Sequence, residues 1–485
     1  MKKISIIGSG FSSISAACYL SQAGHEVQIF EKNKTIGGRA RRYEKDGFTF
    51  DIGPTWYWMP DVFEKFFNDF NQHPSNFYTL EKLNPGYEVY FDKNDSVKVS
   101  GDIEEIYQLF EDTEKGSAAE LKSFLKQAKR NYEIAVQDLV YRPGNSPLEL
   151  ITLESATRLR LLFVSIQSQI QKKFKSPRLR KLLEFPVLFL GAKPSNTPAM
   201  YNFMNHADFG LGTWHPKGGM YSVIEGMQKL AESLGVMFTT EANVDKILVK
   251  DGKIDGLTVN GKKIESDFVL SGADYHHTET LLDEKHRQYS EKYWSKKVFA
   301  PSALLFYIGI NHKLENLSHH TLFFDTDFEP HAADIYDNPR WPETPLFYAS
   351  FPSMTDEAFA PVGKEAATFL IPLAPDLEDT EELRQKYLKL ILKRLESLTG
   401  QDIQNNMLFC KSYCVNDFKE DYNSYKGNAY GLANILTQTA FLRPKIKSKK
   451  VKNLIFSGQL TVPGPGVPPA LISGKIAAEQ ILQNI

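Results

Sequence analysis

Ile4-Ser-Ile-Ile-Gly-Ser-Gly-Phe-Ser-Ser13, continued by Glu26-Val-Gln-Ile-Phe-Glu31 and then Gly37-Gly38-Arg39, decides the fold. The apolar run Ile4 to Ile7 reads as a buried parallel strand. It breaks into Gly8-Ser9-Gly10 and passes into a helix over 11–23, with Phe11 and Ser12 in its first turn. A second strand, 26–30, ends on the carboxylate of Glu31, with Lys32 beside it. This is the βαβ unit that binds a dinucleotide: Gly8 permits the tight turn, and Gly10 lets the backbone approach a pyrophosphate. The helix start adds free N–H groups and a partial positive charge for that pyrophosphate. Glu31 stands where an acid accepts hydrogen bonds from a ribose diol. The third fingerprint position, which serves close helix–strand packing, is the small Ser13 instead of glycine.

Composition bounds the function. The chain has 485 residues, 42% hydrophobic and 24% charged, as a globular α/β enzyme of two or three units would. A net charge of −2 and the lack of an arginine-rich arm give no sign of nucleic-acid binding. Cys18, Cys410 and Cys414 form no even framework and have no histidine neighbours, so neither disulfides nor a metal site is expected, and a reducing, cytosolic compartment fits. Met1-Lys-Lys precedes only four apolar residues, too few for a signal peptide, and no stretch approaches the ~18 apolar residues of a membrane span.

Farther along, Asp46-Gly47 marks a hairpin turn. Residues 61–190 read as mainly helical, with strand-like pieces at 87–91 and 97–100. The loop Pro216-Lys-Gly-Gly-Met220 leads into a helix over 221–234. Strands follow at 236–239, 244–250, 253–259 and 268–272. Residues 295–410 mix strands (303–310, 368–372) with a charged helix, 381–398. The last segment reads as strand, Gly458, a proline-rich loop and a helix over 471–482. The implied architecture is α/β: a Rossmann-like dinucleotide domain built from 1–75, 213–290 and 411–485, with an α+β substrate domain, 76–212 and 291–410, inserted between its pieces.

Three blocks together resemble one family. The first is Gly8 to Arg39 with Phe50-Asp-Ile-Gly-Pro-Thr55; the second is Trp214-His-Pro-Lys-Gly-Gly-Met220. The third runs from Tyr425-Lys-Gly-Asn-Ala-Tyr-Gly-Leu-Ala433 through Phe441-Leu-Arg-Pro444 to Asn453-Leu-Ile-Phe-Ser-Gly458 and Pro463-Gly-Pro-Gly-Val-Pro468. The combination resembles the bacterial carotenoid desaturases, which are FAD-dependent and share the amine-oxidase-type fold, and is nearest to phytoene desaturase (lycopene-forming). The resemblance implies FAD bound by Gly8, Gly10, Phe11, Ser12, Glu31, Lys32, Gly38, Arg39, Gly53, Pro54, Thr55, Val244, Gly458, Gly466 and Val467. Val462 stands where many relatives carry a histidine, so proton chemistry through that histidine is closed to this chain.

Dehydrogenation beside a polyene needs a hydride acceptor, which is flavin, and a proton acceptor. His206, Asp208 and His215 flank the second block and are the candidates for the proton. Trp56, Tyr57, Trp58 and Met59 follow the flavin-facing turn and are candidates to line an apolar tunnel. Lys172, Lys173, Lys175, Arg178, Arg180 and Lys181, next to Phe185 and Leu188, form a basic run that suits anionic lipid headgroups. The resemblance thus implies an apolar polyene such as phytoene, an electron acceptor (quinone or oxygen), and a cytoplasmic enzyme peripheral on the inner face of the bacterial membrane. The readings that compete are a later-acting carotenoid 3,4-desaturase, a redox-neutral carotenoid isomerase and a flavin-free prenyl-binding escort protein.

Overall fold

The computed structural model describes residues 1–150 and 159–485; the part of the helical expectation that falls on 151–158 lies outside them. Five strands form a parallel sheet in the order Leu454–Phe456, Phe268–Ser271, Lys3–Ile7, Glu26–Phe30, Met237–Thr239. Parallel neighbours require crossover connections, which is why three distant stretches of chain can meet in one sheet. Side chains alternate across it. Ile4, Ile6, Val27, Ile29 and Leu270 enter the core shared with the first helix, Phe11–Gln22, and the last, Val467–Leu482. Ile7, Phe30, Val269 and Phe456 enter a second cluster with Val244, Leu257 and Tyr275. Both faces are covered, as a parallel sheet needs.

The first helix is clamped between a strand end and the last helix by small residues. A Cβ on Gly272 would collide with Ser13 Oγ, so the serine at the third fingerprint position packs against a glycine. A Cβ on Gly474 would collide with the Ser12 carbonyl oxygen and lie 2.7 Å from Ser15 Cβ, while Ser15 Oγ donates to the Leu471 carbonyl at 2.8 Å. The last helix begins at Val467, four residues before the expected start. Pro468 and Pro469 occupy its first turn, where a missing N–H leaves no intrahelical bond unmade.

A second, seven-stranded sheet runs Met407–Tyr413, Ser302–Ile310, Glu365–Leu373, Phe347–Ser350, His320–Phe323, Tyr87–Asp92, Asp95–Val99. The strand Met407–Tyr413 lies wholly within it and crosses the limit drawn at residue 410. Leu304, Phe306, Ile308 and Phe369 pack on the helix Glu381–Thr399 through Tyr387, Ile391 and Leu395. The opposite face presents Ala303, Leu305, Tyr348 and Leu370 to a cavity. The hairpin Arg41–Lys45 to Phe48–Ile52 turns at Asp46 (φ 51°) and Gly47 (φ 81°), the paired left-handed conformation of a two-residue turn. Trp214–Pro216, which leads into the loop expected over 216–220, is a short strand paired with Leu80–Lys82.

The helix clamp yields a test. Gly474→Val should force the first and last helices apart and lower stability by about 1–3 kcal/mol, the usual cost of overpacking. Thermal unfolding, compared with an exposed Lys389→Ala control on the helix Glu381–Thr399, reads it out.

Candidate active site

A cavity of 880 Å³ passes between the two sheets. Gly8, Gly10, Phe11, Ser12, Glu31, Lys32, Gly38, Arg39, Gly53, Pro54, Thr55, Val244, Gly458, Gly466 and Val467 all line it. Residues hundreds of positions apart are gathered there because the strands ending in Ile7, Phe30 and Phe456 all finish on that side of the parallel sheet, where such sheets bind ligands.

The fit to a dinucleotide can be judged on backbone and glycine geometry. Gly8 has φ +83°, and its amide donates to Phe30 O at 2.8 Å. Nothing lies within 4 Å of a Cβ built on Gly10, so that position opens into the cavity. Gly38 closes over it, since its Cβ would sit 3.1 Å from Gly10 Cα. Gly53, at φ +133°, would place a Cβ on the Arg39 carbonyl. Both helix N-termini at the cavity, after Gly10 and after Gly466, have no side-chain cap. The first therefore offers its free N–H groups to an anion or a carbonyl oxygen, while the second, with Pro468 and Pro469 in its first turn and Ala470 N bonded to Gly466 O at 3.0 Å, offers that of Val467.

The charged groups agree. Glu31 is buried; one oxygen accepts from Ser9 N (3.0 Å) and Ser9 Oγ (2.7 Å), the other from Asn33 N (2.9 Å). The carboxylate thus braces the glycine turn and retains acceptor capacity for a ribose hydroxyl. Lys32 Nζ bonds Asn423 Oδ1 at 3.3 Å, which ties this edge to the chain beyond the seven-stranded sheet. Arg39 donates to Ser424 Oγ at 3.2 Å and lies over the Tyr422 ring, yet its buried Nε has no partner. Burial lowers its pKa while the nearby Asp274 opposes that shift. A buried guanidinium with an unfilled donor at a dinucleotide turn is suited to a phosphate oxygen. The residues therefore fit an FAD.

The other arm of the cavity is aromatic and aliphatic. Trp56, Trp58 and Met59 line it together with Phe185, Phe189 and Leu322. Tyr57 is turned away, stacked on Phe63 at 4.2 Å with its hydroxyl 2.9 Å from that of Tyr78. Trp56 is the hub: it touches the rings of Trp58, Tyr87, Phe185, Phe189, His320 and Tyr348. Val462 also faces the cavity. Tyr348, Asp274 and His277 line it too and were missed in the sequence, where no motif surrounds them.

The three residues expected to handle a proton are elsewhere. His206 is half-buried, edge-on to Tyr132 at 5.2 Å, and begins the π-helical turn His206–Gly210. Asp208, in the same turn, is fully buried and accepts from the Tyr87 hydroxyl at 2.8 Å. Burial pushes its pKa up to about 8, so at neutral pH it holds a proton already. His215 is buried with Nε2 3.3 Å from Asp356 Oδ2. None of the three lines the cavity: Asp208 and His215 are buried outside it, and His206 stays half-buried beside Tyr132.

Comparison with known proteins agrees with this geometry. The family described as flavin containing amine oxidoreductase matches residues 12–482. A carotenoid 3,4-desaturase of Haloarcula japonica is 41% identical over 99% of this chain and 98% of its own length. A 4,4'-diapophytoene desaturase (4,4'-diaponeurosporene-forming) of Staphylococcus haemolyticus is 33% identical over 99% of both. Among solved structures, an oxidoreductase from Methanosarcina mazei superimposes with a TM-score of 0.66 at 18% identity, covering 98% of this chain and 100% of that one, which speaks to the fold alone. Gly10→Val should fill the open space above the turn and yield folded protein with little flavin absorbance. Glu31→Gln should weaken flavin binding less, since it exchanges charge-assisted bonds of about 1.5–3 kcal/mol for neutral ones without a clash. A full flavin complement in purified Gly10→Val would mean that the turn does not hold the cofactor. By fold, cavity and sequence together, the chain is an FAD-dependent oxidoreductase that belongs to the carotenoid desaturases of the flavin-containing amine oxidoreductase family.

Proposed function

We propose that this protein dehydrogenates a linear, apolar polyene lying in the aromatic arm of the cavity with the bond to be oxidised at the dinucleotide end. The observation that carries the reading is the continuity of the glycine turns around Gly8 and Gly53 with the arm lined by Trp56, Phe185 and Phe189. FAD supplies the hydride acceptor when bound. The protein's part is to hold the chain in register, exclude water and position a proton acceptor. Reoxidation falls to a quinone or oxygen.

Two regiochemistries are supported by different observations. The motifs Gly53 to Thr55 and Gly458 to Pro468 favour phytoene, taken stepwise towards lycopene. The 41% identity to a protein named carotenoid 3,4-desaturase favours oxidation of an end group in a polyene that is already coloured. A wall that reads apolar shape separates substrates by only ~1–3 kcal/mol per methylene, so partly oxidised products should re-enter the same site. Expression in cells that make phytoene, and separately in cells that make lycopene or its hydroxylated derivative, decides between them by product chromatography. Red product from phytoene is the expected outcome. Unchanged phytoene beside conversion of the coloured substrate assigns the 3,4-position, and anaerobic conversion without any added electron acceptor points to isomerisation.

A membrane-dissolved substrate calls for a docked enzyme, and we place the contact at the inner face of the cell membrane. Among the described residues no helix is long and apolar enough to cross a bilayer. The basic run contributes less than its sequence suggests. Lys173 bonds Glu120 at 2.7 Å, Arg178 pairs with Asp95, and Arg180 and Lys181 donate to the carbonyls of Phe174 (2.7 Å) and Phe324 (3.1 Å). Its neighbours Phe185 and Val187 are buried, while Lys172 and Lys175 are exposed. Better support comes from Leu148 and Phe163, 72% and 79% exposed, and from Leu436 and Leu442. These sit within or next to the cavity-lining residues Pro147, Leu162, Leu436 and Phe441. Liposome co-sedimentation should fall for the double variant Leu148→Asp, Phe163→Asp. Lys172→Glu with Lys175→Glu should remove only the part of binding that salt screens. Binding indifferent to all four changes would place the membrane contact on another face.

A further inference from the structure

Two side-chain hydroxyls meet at the wall of the aromatic arm, beside an imidazole. Tyr348 Oη lies 2.9 Å from Thr55 Oγ1 and 2.6 Å from His320 Nδ1. Tyr348 and Thr55 line the cavity, whereas His320 is fully buried just behind it. The sheet sets this up. Leu322 pairs with Tyr348 and His320 with Ser350 on adjacent antiparallel strands, so Tyr348 and His320 are diagonal neighbours on one face. The other nitrogen of His320, Nε2, has no hydrogen-bond partner. Its ring lies flat on the Trp56 indole, centroids 4.0 Å apart at 11°. Behind it follow His319 (ring centroids 4.4 Å), then His215 (4.7 Å from His319), then the Asp356 carboxylate, 3.3 Å from His215 Nε2.

We propose that Tyr348 and His320 are the proton-accepting dyad of the dehydrogenation, with Tyr348 as the catalytic hydroxyl at the cavity wall and His320 as the positioning base behind it. The proposal rests on the polyene reading above. Once a hydride has left one carbon of the substrate, the neighbouring C–H bond breaks and its electron pair becomes the second bond of the new alkene. The proton passes to Tyr348 Oη as the phenol's own proton moves to His320 Nδ1. Tyrosine ends neutral, the substrate loses its positive charge, and that charge rests on an imidazolium stacked on an indole face, a favourable cation–π arrangement.

Tyr307 also reaches the cavity, but its buried hydroxyl has no hydrogen-bond partner to take its proton on. The imidazoles and the carboxylate nearest the wall are already committed. His331 uses both nitrogens, donating from Nε2 to Pro372 O (2.8 Å) and accepting at Nδ1 from Leu346 N (3.0 Å). His277 is bound to Asn423 at 3.1 Å, and Asp274 caps its own helix beside Arg39. Burial holds His320 and His319 well below the usual histidine range, so His320 rests neutral and able to accept. Such a weak base suffices because a C–H bond beside a carbocation is a strong acid.

The test pairs kinetics with a measurement that needs no turnover. Tyr348→Phe should leave flavin absorbance and polyene-induced quenching of protein fluorescence unchanged while slowing dehydrogenation by about 10²–10³-fold, the span usual for a lost acid–base group. Wild-type turnover should slow in D₂O, and that solvent effect should vanish in Tyr348→Phe, which a merely structural role would not cause. In the resting protein, ¹⁵N-histidine NMR should show His320 protonated at Nε2 with Nδ1 as acceptor, and Tyr348→Phe should shift the Nδ1 resonance. Undiminished turnover in Tyr348→Phe, a retained solvent effect, or an Nδ1–H tautomer would overturn the dyad. Wild-type protein that binds flavin but converts no polyene would overturn the substrate reading instead, and the tautomer would still decide the dyad.

Discussion

The site depends on one close approach: the first helix pressed between Gly272 on one side and Gly474 of the last helix on the other. The van der Waals contact of Ser12, Ser13 and Ser15 with these two glycines leaves no space for a methyl group. That contact fixes where both helices start. Gly10 and Gly466 therefore aim two uncapped N-termini at the same cavity, although more than four hundred residues separate them. Helix N-termini carry about half a positive charge each, so their convergence creates an anion-accepting end without any lysine having to be buried. Glu31 completes that end from below, holding Ser9, and thereby the turn, by two hydrogen bonds and accepting a third from Asn33 N.

The dinucleotide end was legible in the sequence because its requirements are local. A glycine with φ +83° at Gly8, an open Cβ position at Gly10 and an acid at the close of the next strand leave a fixed spacing in the chain. The apolar runs over 303–310 and 368–372 likewise indicated strands, and these extend over 302–310 and 365–373. The proton acceptor was not legible. His206, Asp208 and His215 drew notice through their nearness to a glycine motif, yet a strand and a π turn hold them off the cavity wall. Tyr348 and His320 lie on strands whose pairing spans some thirty residues of chain, and no local pattern reports a cross-strand diagonal.

The basic run over 172–181 shows the same limit from the opposite direction. Six positive charges in ten residues look like a lipid-binding face when nothing else is known. In the folded chain Glu120 and Asp95 arrive from distant helix and strand to pair two of them, and backbone carbonyls take two more. Surface pairs of this kind contribute at most about 1 kcal/mol each. Their consequence here is electrostatic: with these charges paired, the exposed apolar Leu148 and Phe163 are the more conspicuous surface feature.

Behind the aromatic arm lies a layer that packing alone would not select. Three imidazoles, two of them held neutral by burial, sit among rings where leucines would fill the space without unmet hydrogen bonds. Leaving His320 Nε2 unpartnered costs about 1–3 kcal/mol by itself. Stability given up in one place, while the surrounding core is packed to exclusion of water, is the pattern expected where chemistry sets the residue types. An apolar substrate offers the protein no polar handle, so any acid–base group has to be presented by the wall itself. It must be held rigid by its own neighbours and kept uncharged until the moment of transfer. Stacking on Trp56 and a 2.6 Å bond to Tyr348 meet these conditions for His320, and the polar layer behind the arm is where a site for such a substrate would have to spend stability.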